Sequence, residues 1–538
     1  MESSRVRRAR RFGAVAVVAL IACTARSEGD HSAAAELRAA PAPAPAADDA
    51  RNDAAGGGAR GGRPLEVYFT GSDDGYLDAC GCDDGLLGGL PRRATLLKFL
   101  KAGDDEALVL SNGRLVAGAE PLDRMKLDVM VLAMAEMGYL ALAVTEQELA
   151  LGREALNEVA GLLGSGDALL GTNLIDWKRR ADGVAVPPGL AAPLAAALAL
   201  PTVPALARTV RGEPLLILSA VSTQRAERYR AADPLVQVGE PVRALQEQLA
   251  LHPGARSIVL AQMNEAEAKS LAGALPELDL IVVQGPEHED HPREEAVTVG
   301  TTSIVTTGRK GKFLMSFRFG GAGEIDEAKR QPIVDTLPKD TSIEELLNSL
   351  YRDRLFVEKP IEQYYSRAEP ASGAHYAGAE EGSCASCHPK AWEVWAASKH
   401  AHAWQTLVDQ DLPPDPAYKK SRQKHAVWDP DCVRCHVTGF GEVSGYAGLE
   451  RERPEARLID VGCESCHGPA GDHAERASQG DPRWPNPPIG KIADGSAEPT
   501  CVKCHDPDNS PYFVMKEYWA GLVRGKHGAS IEHGREGD

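Results

Sequence analysis

Between residues 64 and 325 the chain alternates short apolar runs with longer stretches in which apolar residues recur at helical spacing. The short runs, at 66–70, 107–110, 140–144, 215–218, 257–260, 278–283 and 303–306, are predicted strands. The segments 127–137 and 266–275 are predicted helices. Strands and helices taken in turn define an α/β domain in which helices cover a sheet. Residues 326–370 break this rhythm and read as a connector. Within it, 342–350 is predicted helical, with Ser342 as its cap and Glu345 at the capping-box position.

From residue 371 to 538 neither period persists. This second domain is expected to be mostly α, with little secondary structure beyond short helices. Aromatic residues are only 5% of the 538, so side chains alone give a thin aromatic core, and a bulky cofactor is the expected filler.

The first 63 residues do not read as part of either domain. Arg5, Arg7, Arg8, Arg10 and Arg11 precede an apolar run at 13–22, too short to span a bilayer comfortably. The run ends Leu20-Ile21-Ala22-Cys23, which resembles the lipobox of bacterial lipoproteins. That resemblance implies a signal peptide over 1–22 and a lipid on Cys23. It also implies attachment to a bacterial membrane on the periplasmic or cell-surface side, with the outer membrane favoured because Thr24 is not Asp. Residues 23–63 hold mainly Ala, Pro, Gly and charged side chains, too little apolar surface to offset ordering entropy, and read as a disordered tether. The formal net charge of −18 argues against nucleic acid as a partner. An acidic surface suits solubility, or docking to a basic redox protein.

The cysteines carry the chemistry. There are 11, and eight of them form four Cys-x-x-Cys-His motifs: Cys384/Cys387/His388, Cys432/Cys435/His436, Cys463/Cys466/His467 and Cys501/Cys504/His505. Two thiols three positions apart reach the two vinyl groups of one porphyrin, and the adjacent histidine binds the iron from the proximal side. One copy alone could be a zinc half-site or a redox dithiol. Four copies, all with His after the second Cys, predict four covalently bound haem c groups, close enough together for electron hopping. Seven further histidines share the region: His375, His400, His402, His425, His473, His527 and His533. They are candidates for the sixth iron ligand, except His533 in the polar tail, which is expected at the surface.

Several stretches around the motifs are similar to the tetrahaem cytochrome c554 family. They are Tyr376-Ala377-Gly378, Trp395 to Ala403 with His400 and His402, Cys432 to Phe440, Val461 to Pro469 leading to His473, Cys501 to Asp506, Asn509 to Phe513, and His527-Gly528. The resemblance implies His400, His473 and His527 as distal ligands. His402 competes with His400, and His425 and His375 are candidates for the fourth position. In the family one haem can lack a strong distal ligand. The implied function is electron transfer between redox protein partners. The alternative is a multihaem enzyme acting on a small nitrogen or sulfur compound at one open haem.

The order of elements at 64–325 resembles the metallophosphoesterase domain of 5′-nucleotidases, a four-layer α/β sandwich. That family's metal-ligand positions fall here on Ser72-Asp73-Asp74, Gly113-Arg114, Glu146-Gln147-Glu148, Gln262 and Gly285-Pro286-Glu287-His288. Only His288 keeps the ligand expected at its position, and Arg114 puts a cation where a ligand belongs. Two metal ions need several Asp, His and Asn ligands, so the domain is expected to be degenerate and without phosphoesterase activity. One local feature is left over: Asp78-Ala79-Cys80-Gly81-Cys82, followed by Gly88-Gly89-Leu90-Pro91-Arg92-Arg93. Cys80 and Cys82 are a candidate redox or metal-binding pair.

Overall fold

The computed structural model describes residues 64–518, apart from 80–86, 165–166, 177–198, 286–291, 321–325, 364–366, 371–373, 379–383, 412–423, 450–456, 481–497, 507–508 and 511–512. The expected lipidation at Cys23, the Cys80/Cys82 pair, and His288, His527 and His533 lie outside the described residues.

The first sheet comprises β1 (Leu65–Thr70), β2 (Leu108–Ser111), β3 (Tyr139–Ala143), β4 (Leu169–Leu170), β13 (Phe313–Phe319) and β14 (Glu327–Pro332), in the order β14-β13-β1-β2-β3-β4. The second comprises β6 (Leu206–Val210), β7 (Glu213–Val221), β9 (Arg256–Gln262), β10 (Leu280–Val283), β11 (Val297–Val299) and β12 (Thr302–Thr306), in the order β11-β12-β10-β9-β7-β6. In each sheet four neighbouring strands run parallel, and the outer strands β13, β14, β6 and β11 are antiparallel. A two-stranded ribbon of β5 (Leu174–Asp176) and β8 (Val236–Val238) stands apart.

Alternating side chains decide the layering. Val67 and Phe69 of β1 pack with Leu110, Ile217, Leu260, Val282 and Phe317 between the two sheets. Tyr68 points the other way, into a layer with Leu97, Met130, Met134 and Leu156 of the helices Leu90–Leu100, Pro121–Met137 and Arg153–Leu162. Leu216, Leu218 and Ala220 of β7 likewise face the helices Pro241–Leu251 and Glu265–Ala274. The result is a helix–sheet–sheet–helix sandwich, as the resemblance to metallophosphoesterase domains implies. Each fully buried Leu, Ile or Phe in these layers contributes roughly 1.5–3 kcal/mol.

Details depart from the expectation where capping or context dominates. The helix predicted at 127–137 starts earlier, at Pro121, because Pro occupies its first turn and Glu120 and Asp123 form a capping box. Asp340 caps the helix Thr341–Leu347 by accepting from the Ile343 amide, not Ser342. β14 extends the sheet beyond residue 325, and Ile343, Leu347, Tyr351 and Leu355 join the N-terminal core. The expected connector is therefore partly domain structure.

The C-terminal region consists of short helices around a small core that includes Tyr376, Leu407, Val433, Val437, Tyr446 and Leu458. It meets the sandwich and the elements packed on it through Lys126–Asp431 and the Tyr351 hydroxyl 3.3 Å from Asp429. Among the described residues no helix is long and apolar enough to cross a membrane.

Candidate functional site

Each motif is built on a tight turn. In the first and fourth, the histidine N–H donates to the carbonyl four residues back, His388 to Cys384 and His505 to Cys501, both at 2.9 Å. A helical turn places positions i, i+3 and i+4 on one face, so both thiols and the imidazole leave the backbone together. The second motif begins inside the short helix Pro430–Val433, which is capped by Asp429 and opened by Pro430. The third is itself the helix Cys463–His467.

Two of the four motif histidines, His436 and His505, are held by their outer nitrogens. His436 Nδ1 lies 2.6 Å from the Ala403 carbonyl oxygen and 3.2 Å from Thr406 Oγ1. An Nδ1–H donated to that carbonyl fixes the tautomer and leaves Nε2 for a metal. Burial pushes the His436 imidazole below its ordinary pKa, toward the neutral form that ligates. His505 Nδ1 lies 3.0 Å from Ser510 Oγ, and its ring stacks on Phe513 with 4.7 Å between centroids.

Two distal candidates come to face proximal histidines. His473, on the helix Gly471–Ser478, has its ring centroid 6.3 Å from that of His388. His400, in the 3-10 turn Lys399–His402, has its ring centroid 6.0 Å from that of His505. A metal ion about 2 Å from a nitrogen on each side leaves ring centres about 6 Å apart, so both pairs fit an axially ligated iron. The His400 segment is tied to the run-up of the third motif: the Val461 amide donates to the His400 carbonyl at 3.1 Å, and Trp395 Nε1 to the Val461 carbonyl at 2.9 Å.

The remaining candidates stand elsewhere. His402 is exposed and, with His436, acts electrostatically on Asp460, whose carboxyl burial raises. His425 stacks on Phe356 at 5.0 Å, and its Nε2 lies 3.4 Å from Asp353, both on the connector. His375 Nδ1 lies 2.9 Å from Asp472, and its ring covers Gly471, where a Cβ would come within 2.3 Å of it.

Cys384 hydrogen-bonds Cys463, and Cys435 hydrogen-bonds Cys504. The motifs are thus adjacent in pairs, first with third and second with fourth. Cys387 and Cys466 stand apart among the eight. Both are exposed, whereas the other six are half-buried. The cause at Cys387 is local: Ser386, Pro389 and Lys390 around it are exposed too, so this side of the turn faces outward. The Ser386 hydroxyl lies 3.9 Å from the Cys387 sulfur. Among the described residues no group of three or more His, Cys, Asp or Glu is placed to hold a metal ion. Paired thiols, imidazoles fixed through Nδ1 and facing imidazoles fit haem attachment.

One buried acid was not singled out from sequence. Glu464, between the cysteines of the third motif, accepts from the amides of Ala377 at 2.9 Å, Gly378 at 2.7 Å and Ala470 at 2.6 Å. It fastens the approach to the first motif, and the turn before the His473 helix, onto the third motif. Its position inside Cys-x-x-Cys was the available signal.

At the strand ends of the sandwich, cations meet the carboxylates. Arg93, fully buried, pairs with the fully buried Asp73 and donates to the Tyr139 hydroxyl at 3.3 Å. Asp74 accepts from Arg114 at 2.5 Å and Arg309 at 3.2 Å. Glu148 accepts from the Leu115 and Arg114 amides, and Gln262 donates to the Asn112 carbonyl and side chain. Asp78, two residues before Cys80 in the sequence, meets Arg92, Lys339 and Arg352. The two arginines of the Gly-Gly-Leu-Pro-Arg-Arg stretch thus neutralise Asp73 and Asp78.

Turns of this kind are those by which c-type cytochromes hold covalent haem c. Within that class, residues 383–468 match the family described as cytochrome c554 and c-prime. The region is 34% identical over 150 residues to cytochrome c-554 of Nitrosomonas europaea, an alignment covering 25% of this chain and 60% of that protein. Solved structures similar to this chain include the sulfate thiohydrolase SoxB of Thermus thermophilus, with 17% identity, 57% of this chain and 63% of that one covered, and a TM-score of 0.43. Another is a 5′-nucleotidase precursor, also from Thermus thermophilus, with 17% identity, coverages of 57% and 61%, and a TM-score of 0.44. The chain thus spans about 60% of the length of each of these proteins.

Proposed function

We propose that the protein is an exported tetrahaem cytochrome that passes electrons between redox protein partners through closely spaced haems. The observation that carries this reading is the presence of two pairs of facing imidazoles, His388 with His473 and His505 with His400, each at the spacing of two axial ligands. In this reading Cys384/Cys387, Cys432/Cys435, Cys463/Cys466 and Cys501/Cys504 hold the four haems by thioether bonds, and His388, His436, His467 and His505 are the proximal ligands. Haem c supplies the one-electron chemistry. The chain's own residues orient it: the Ala403 carbonyl fixes His436, Ser510 and Phe513 hold His505, and Glu464 joins the first and third motifs. Two imidazoles on one iron favour a low-spin centre that changes oxidation state with little movement, which suits transfer over bond-making. The thiol contacts between motifs support short distances between haems.

The remaining parts of the proposal are export by the segment 1–22, a lipid on Cys23 that holds the protein to the periplasmic or cell-surface side of a bacterial membrane, and an N-terminal sandwich that works without metal ions. Arg93, Arg114 and Arg309 neutralise Asp73 and Asp74 where a phosphoesterase would need liganded metal.

The test is a carbon monoxide difference spectrum of the fully reduced protein matured with its haems. Electron transfer through saturated irons predicts no response. A response equal to one haem in four would favour instead an enzyme acting on a small nitrogen or sulfur compound at that haem.

A further inference from the structure

Asp460, Val461 and Gly462 run into the third motif at Cys463, and their hydrogen bonds reach the surroundings of the other three. The Val461 amide donates to the carbonyl of His400, which faces His505. Trp395, on the helix Pro389–Ala396 that follows His388, donates to the Val461 carbonyl. Asp460 turns toward the second motif.

The helix Ala403–Val408 has no cap of its own, because His402 at its N-cap makes no side-chain hydrogen bond. Asp460 supplies the acceptor instead: its Oδ1 takes the Trp404 amide at 2.7 Å. One residue earlier is the Ala403 carbonyl, 2.6 Å from His436 Nδ1. The carboxylate therefore fixes the turn that fixes the imidazole. The chain after His436 is also laced to the chain before Asp460. Val437 bridges Ile459, the Thr438 amide donates to the Leu458 carbonyl at 2.9 Å, and the buried Thr438 hydroxyl donates to the Asp460 carbonyl at 2.9 Å. Asp460 holds this place with a φ of 72°, in the left-handed region that Asp and Asn enter more readily than most residues. It is half-buried, and the charges of His436 and of the exposed His402 act on it.

We propose that Asp460 is a positioning residue for the second haem, holding the Ala403 turn against His436 and placing beside that ligand a negative charge that favours oxidised iron. The outer partners of a ligating histidine orient its ring and tune the metal. A charge acts more strongly on a redox centre where water is partly excluded. This inference rests on the reading that the second motif carries a haem.

The experiment is a spectroelectrochemical titration of the full-length, haem-matured protein carrying Asp460→Asn. The component of the second haem is identified as the one missing from Cys432→Ala/Cys435→Ala. Asn keeps an acceptor oxygen for the Trp404 amide and tolerates the left-handed backbone, so the charge alone is removed. The second component is expected to move about tenfold toward the reduced state, which is 59 mV for one electron, and the other three to move less. Glu247→Gln, on an exposed helix, should change nothing. A residue that only held the fold would leave the potential unmoved in Asp460→Asn. No shift in the second component, or an equal shift in all four, would overturn the proposal. Asp460→Ser, which also keeps an acceptor and drops the charge, repeats the test if Asp460→Asn does not mature. Loss of the second haem from both variants would overturn it as well, because both retain the contact said to position His436. A wild-type protein without a component assignable to the second motif would overturn the four-haem reading itself, and this inference with it.

Discussion

His473 faces His388 with 6.3 Å between ring centroids and 30° between ring planes. The two are far apart in sequence, and the helix Gly471–Ser478 is what carries His473 to that place. His400 and His505 repeat the relationship at 6.0 Å. If these are axial pairs, His473→Ala and His400→Ala should each convert one haem in four from low-spin to high-spin. Electron paramagnetic resonance of the oxidised protein reads this directly. Full low-spin signal in both variants would remove these histidines from the iron.

Glu464 receives three backbone N–H groups, from Ala377, Gly378 and Ala470. Truncating it leaves buried donors unpaired at about 1–3 kcal/mol each. Glu464→Ala should therefore cost on the order of 3 kcal/mol or more and reduce haem loading. Glu464→Gln, which keeps an acceptor oxygen, should cost less. Equal melting temperatures for the two variants would show that the carboxylate's hydrogen bonds are not what holds the motifs together.

At the junction of the two regions, burial and the neighbouring Asp431 push the Asp429 carboxyl up to about 6. Burial works against ionisation of Asp431 too, but Lys126 outweighs it and holds that carboxyl low. A carboxyl raised in the folded state binds more protons than the unfolded chain between pH about 4 and 6, so its contribution to stability is present at acid pH and lost as pH rises through that window. Asp429→Asn keeps the cap on the helix Pro430–Val433. It should stabilise the protein at pH 7 by on the order of 2 kcal/mol and give little gain at pH 4. Urea denaturation at the two pH values checks this. A loss of stability at pH 7 would contradict it.

Arg93 and Asp73 are both fully buried. Removing one partner of a buried ion pair costs about 3–5 kcal/mol, so Arg93→Met should be strongly destabilised. Asp73→Leu added to it should recover much of the loss. Differential scanning fluorimetry of the single and double variants reads the pair. A neutral Arg93→Met would mean that Asp73 is held by something other than this guanidinium.

The four motifs are legible in the sequence because their chemistry is local: a turn of helix aligns two thiols and an imidazole whatever surrounds it. What surrounds it is not local, which is why the exposure of Cys387 beside the half-buried Cys384 is invisible in the motif. The sandwich strands are legible because β1, β7, β9 and β10 are apolar runs buried on both faces. β14 is not, because the edge strand Glu327–Pro332 alternates no apolar face, and Asp340 displaces Ser342 as a cap by one hydrogen bond to Ile343. The facing of His473 with His388 is set by tertiary packing, and spacing alone does not specify it. The pairing of Arg93 with Asp73 likewise joins residues on different elements, so an arginine beside a glycine pair reveals nothing until β1 and the helix Leu90–Leu100 are brought together.

The central claim is that this chain carries four covalent haems, and intact-protein mass spectrometry after acid removal of non-covalent groups tests it most directly. The account predicts the mature polypeptide plus four haem masses, and three after Cys384→Ala/Cys387→Ala or the equivalent change in any one other motif. A wild-type protein with fewer than four bound haems, or a motif whose cysteines can be replaced without losing one, would contradict it.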